Sequence, residues 1–154
     1  MRVRCLSKLL NSAQREKIGL PPGGSVEHAI TPESEYVVLG LSVKPCGSPN
    51  GSGAFVYVVN DWGQCRAISI CLFDVVESRC SKYWHAKRHE DGTLLLWPEE
   101  FYIDYFLDDL SEDDADAGEL FKKLVLCINA EDRDHGDGQR GSMPFRVEEI
   151  SSRL

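Results

Sequence analysis

Cys80, His85 and Asp91 supply the three side-chain types of a thiol catalyst: a nucleophile, a base and an acid to orient the base. That chemistry requires the imidazole within hydrogen-bond reach of the sulfur, which only a fold can arrange. Chance assortment is the better reading, because His85 lies in a stretch with strand character. Ser42, Ser69 and Ser81 lack the glycines of a nucleophile elbow. His85 and His89 are four apart, a spacing that clamps zinc on a helix. Here Ala86 stands where that motif needs glutamate. The acid runs Asp113, Asp114, Asp116, Glu119 and Asp132, Asp134, Asp137 could gather a hard cation, yet neither reproduces a calcium loop. His28 and His135 read as surface histidines of loops. The glycine-rich stretch 47–53 lacks the Lys-Ser/Thr and the following helix of a phosphate loop. The expectation is a protein with no catalytic residues, no metal and no cofactor.

The sharper signal is electrostatic. Residues 99–119 hold ten acids and no Lys or Arg. A folded element with one negative face attracts basic partners and repels nucleic acid. Charge mainly sets the rate and selectivity of association, whereas affinity needs desolvated anchors, best supplied by aromatics. The candidate partner-binding residues are therefore Asp104, Asp108, Asp109, Asp113, Asp114 and Asp116, with Trp62, Tyr102 and Tyr105 as anchors. The plainer readings are a solvated acidic face, a Trp62 folded over the end of a barrel, and tyrosines packed between helix and sheet.

These residues need elements to position them. Residues 1–24 read as a basic helix or arm, with a helix over 3–17, followed by a Pro/Gly linker. Residues 30–97 carry short β-rich runs at 36–43, 54–59, 64–72, 82–88 and 93–97, with a further apolar piece at 73–77. Asn60-Asp61-Trp62-Gly63 and His89-Glu90-Asp91-Gly92 are turn sequences. Residues 98–130 predict acidic amphipathic helices. Phe101, Tyr102, Tyr105, Phe106 and Leu110 form the apolar side of the first, Ser111 caps the second, and Leu120, Phe121, Leu124, Val125 and Ile128 face inward from it. Residues 131–154 read as loop with a short strand at 143–150. The fold class is α+β in a single domain: a small, strongly bent antiparallel sheet, or a partly open SH3-like barrel, packed with C-terminal helices.

Composition agrees with a globular chain of 154 residues, 42% hydrophobic and 27% charged, with a formal charge of -8. The charge disfavours phosphate backbones. No apolar run approaches a membrane span, and the first ten residues lack a signal-peptide core, so cytoplasmic placement is the expectation. The six cysteines then read as buried or incidental thiols, Cys71 and Cys127 among the buried ones.

The landmarks Ile30-Thr31-Pro32, Asn60-Asp61-Trp62-Gly63, Leu72-Phe73-Asp74-Val75-Val76, Tyr83-Trp84 and Trp97 give the stretch 30–124 a recognisable outline. It resembles small bacterial immunity-type proteins associated with polymorphic toxins, over somewhat more than half the chain. The resemblance implies a non-enzymatic protein that binds a cognate toxin domain and occludes its active site. Many such toxins are basic, which suits the acid block. A homodimeric or other structural protein is the alternative, and a small enzyme comes after it.

Overall fold

The structure, a computed structural model, describes residues 1–21, 27–48 and 51–136, with residues 135 and 136 described by backbone alone. The helix expected over 3–17 is instead a strand followed by a shorter helix. In β1 (Arg2–Cys5) a period of two decides the outcome: Val3 and Cys5 are fully buried, while Arg2 and Arg4 reach Glu35 on the neighbouring strand. Of the three leucines that would have formed one face of that helix, Leu6 and Leu9 are exposed and Leu10 packs partly buried against the core. Helix α1 (Ser12–Lys17) starts at a capping box, in which Asn11 Oδ1 accepts from Gln14 N–H and Gln14 Oε1 accepts from Asn11 N–H, both at 2.9 Å.

The run 36–43 also divides. It forms β2 (Glu35–Val37) and β3 (Gly40–Lys44), which belong to different sheets. At the break Val38 turns into one core and Leu39 into the other, each about fully buried. The chain continues through β4 (Gly53–Val59), β5 (Cys65–Ser69), a 3-10 turn at Ile70–Leu72, β6 (Phe73–Glu77), β7 (His85–Arg88) and β8 (Leu94–Trp97). All pairings are antiparallel. The orders are β2-β1-β6 in a three-stranded sheet and β5-β4-β3-β8-β7 in a five-stranded one. The fold is thus α+β, a bent antiparallel sheet of three plus five strands against C-terminal helices.

Alternation on β4 produces the two cores. Val56 and Val58 join Val3, Cys5, Ile30, Tyr36, Ile68, Leu72 and Phe73 between the sheets. Tyr57 and Val59 point the other way, toward Leu39 and the helices. On that side Trp97 meets Tyr57 and Phe101 edge-on, at centroid separations of 5.2 and 5.9 Å.

The acidic region is ordered but is not one helix after Pro98. A 3-10 turn spans Glu99–Tyr102, the chain breaks at 103–105, and α2 covers Phe106–Ser111. Tyr105 takes a left-handed conformation at the break, with φ of 63°. Helix α3 (Ala115–Gly136) starts later than Ser111 would place it and extends further. Asp114 is the side chain that caps it, accepting from Ala117 N–H at 2.9 Å, whereas Ser111 Oγ donates back to the Asp108 carbonyl. Residues 131–136 continue the helix where a loop was expected, and the strand expected at 143–150 lies outside the described residues. Phe121, Leu124, Val125 and Ile128 form the buried stripe of α3. Cys127 falls off that stripe and is exposed, contrary to its place in an apolar run. All six cysteines are free.

Candidate functional site

The five-residue turn joining β4 to β5, residues 60–64, is held from both sides. Asn60 is 4% exposed, and its Oδ1 accepts from Trp62 N–H at 3.0 Å and Gln64 N–H at 2.9 Å. Asn60 N–H donates to the Gln64 carbonyl, and Gly63 N–H donates to the Asn60 carbonyl. Gly63 has φ of 80°, a conformation that glycine adopts without strain. On the other side Asp61 N–H donates to the Ala29 carbonyl. The Asp61 carboxylate accepts from Tyr36 Oη at 2.6 Å and Thr31 Oγ1 at 2.8 Å. Burial, then the Asp61 contact, raise the Tyr36 phenol far above its usual range and keep it a donor. The product of this bonding is an indole presented to water: Trp62 is 69% exposed. It does not fold over a barrel end.

Beside Trp62 lies a groove of about 360 Å³ between the β4–β5 hairpin and the α2–α3 corner. Tyr57, Cys65 and Phe121 line it from the helix–sheet core, Leu107 and Leu110 from α2. Asp108 and Asp113 supply its carboxylates, and Gln64 and Arg66 the polar edge of β5. The Arg66 guanidinium donates to Gln64 Oε1 at 3.0 Å. Burial pushes the Cys65 thiol up to about 12, which outweighs the nearby Arg66 charge and leaves it a poor nucleophile at neutral pH. A second recess on the other side of Trp62 is lined by Lys8, Glu27, His28, Ala29 and Asp61. Burial lowers the pKa of His28 there.

Of the nine candidate residues, the groove gathers Trp62, Asp108 and Asp113. Asp104, Tyr105, Asp109, Asp114 and Asp116 are exposed but do not line it. Among the described residues the acid block contains one ion pair, Glu119 with Lys122 at 2.9 Å, so most of its carboxylates are unneutralised by the chain's own cations. Tyr102 is committed internally: its hydroxyl donates to the His85 carbonyl at 2.7 Å, and its ring contacts both Trp97 and the Lys87 ammonium. It joins β7 to the 3-10 turn. Tyr105, by contrast, is 76% exposed.

The thiol-catalyst set is not assembled. Asp91 is occupied by Thr93, whose N–H and Oγ1 donate to its carboxylate at 2.8 and 2.9 Å. Cys80 lines a small recess with Glu77, Arg79, Ser81, Glu131 and Asp132, which neither His85 nor Asp91 reaches. Among the described residues no cluster of three or more His, Cys, Asp or Glu side chains could hold a metal ion. Sequence reasoning missed Cys65, Arg66 and Leu107 as lining residues. Pairing of Cys65 with Val59 and the apolar alternation of β4 carried part of that signal. The approach of α2 to β5 had none.

No helix among the described residues is long and apolar enough to cross a membrane. The comparisons with known proteins give no match to a family model, a curated protein or a solved structure.

Proposed function

We propose that this protein is a binding module for a basic protein, acting as a stoichiometric immunity-type inhibitor. The observation that carries the reading is the pairing of an exposed Trp62, on a hydrogen-bonded turn, with carboxylates that the chain's own cations leave unneutralised among the described residues. A turn with so many internal hydrogen bonds fixes the backbone that presents the indole before any partner arrives. The ordering entropy of an anchor is then largely spent during folding, and less is lost on binding. The acidic residues around α2 and the start of α3 provide a field that accelerates encounter with a cationic surface. In the inhibitor reading, that surface surrounds the substrate cleft of a toxin domain, which the bound protein covers.

The test uses purified toxin domains encoded beside this gene, measured for binding and for inhibition. The triple variant Asp104→Lys, Asp109→Lys, Glu112→Lys reverses exposed carboxylates outside the groove and ahead of the first turn of α3. At low salt its association rate should fall about tenfold or more, with little change in melting temperature. An unchanged rate and undiminished inhibition would remove the basis of the proposal.

A further inference from the structure

We infer that the groove beside Trp62 is a receptor for a single arginine side chain of the basic partner, an assignment that rests on the reading above. Three features of the groove select the occupant. Its size, about 360 Å³, suits a side chain rather than a folded element. It contains two carboxylates, Asp108 and Asp113, that have no cationic partner among the described residues. Its mouth carries an indole that is 69% exposed and rises from a turn whose backbone is hydrogen-bonded in place. A guanidinium satisfies all three, because it is flat enough to stack on an indole and has donors in its plane for carboxylate oxygens. Its aliphatic stem can cover Leu107 and Leu110 on the α2 wall.

Lysine fits less well. A compact ammonium gains less from stacking and cannot make a two-pronged contact with a carboxylate. An anion is disfavoured, since Arg66 is the groove's own cation and already bonds Gln64, while two carboxylates face the same space. Cys65 and Tyr57 form the inner wall, and burial raises the pKa of both, so they remain neutral at physiological pH and add no competing charge.

The full chain, labelled with 15N, is titrated with a capped pentapeptide carrying one central arginine, and with the matched lysine and citrulline peptides. The Trp62 indole N–H resonance, assigned through Trp62→Phe, reports occupancy. The arginine peptide should shift it saturably and bind at least about threefold more tightly than the lysine peptide. Citrulline keeps the shape without the charge and should not saturate. The double variant Asp108→Asn, Asp113→Asn should weaken the arginine peptide about fivefold or more, with the melting temperature unchanged. Equal binding of citrulline, equal binding of lysine, or full affinity in the double variant would each overturn the arginine assignment. If the peptide fails while the charge reversal outside the groove still slows partner association, the binding proposal stands and only this assignment falls.

Discussion

Glu131 shows how one side chain can fasten two elements. It sits near the end of the described part of α3, and its carboxylate accepts from Ser81 Oγ and from Lys82 N–H at 2.8 Å. Burial opposes its ionisation, but those two hydrogen bonds and the Lys82 charge outweigh that opposition, and its pKa falls below the usual 4.5. A carboxylate held lower in the folded chain than in the unfolded one stabilises the fold above the unfolded pKa. That stabilisation is lost as pH falls through the folded value. Glu131→Gln should therefore destabilise the protein by about 1–2 kcal/mol at neutral pH. The gap from wild type should narrow in acid, below about pH 4. Thermal melts of both proteins from pH 7 to pH 3 check both parts. A gap that stays constant across the range would show that the charge is not what matters.

At the scale of elements, β3 and β8 meet at a contact that requires the absence of a side chain. A Cβ built on Gly40 would lie 2.9 Å from Trp97 Cδ1 and 3.3 Å from the Leu96 carbonyl oxygen. Trp97 cannot retreat easily, because Tyr57, Phe101 and Tyr102 all pack against it. Gly40→Ala should cost about 1–3 kcal/mol through overpacking. Gly118 in α3 is the contrasting case, with nothing within 4 Å of its added Cβ. There alanine should stabilise by about 0.5–1 kcal/mol through helix propensity. Urea unfolding of the two variants should give shifts of opposite sign. Agreement in sign would refute the packing account at Gly40.

The whole molecule carries a formal charge of -8, and within it the acid block contains ten acids and no basic residue. The exposed edge strand β7 carries Lys87 and Arg88. Lysine and arginine on an open edge discourage pairing with another strand. The surface is therefore asymmetric, and its negative part is long-ranged only when salt is low. Raising ionic strength from about 0.01 M to 0.15 M shortens the screening length from roughly 30 Å to 8 Å. Association with the basic partner proposed above should slow by about tenfold or more over that range, while dissociation changes far less. Stopped-flow kinetics at several salt concentrations separate the two rates. Salt effects confined to dissociation would contradict steering by the acid block.

Local patterns were enough for much of this protein. Apolar alternation announced the strands, Asn60 to Gly63 announced a turn, and the three- and four-residue spacing of Phe121, Leu124, Val125 and Ile128 announced the buried stripe of α3. The same patterns failed where long-range partners overruled them. β1 is a strand because β2 and β6 bond both its edges, and neither neighbour is visible in the four residues themselves. The run 36–43 breaks at Val38 and Leu39 because two cores compete for adjacent side chains. The one-signed charge and the residue types of the proposed recognition surface were legible in the chain alone, since both are sums over composition and local order. It took the packed fold to bring Trp62, Asp108 and Asp113 to one groove and to draw Tyr102 inward. Proximity between residues dozens of positions apart depends on how β5 and α2 pack, and side-chain periodicity carries no information about that distance.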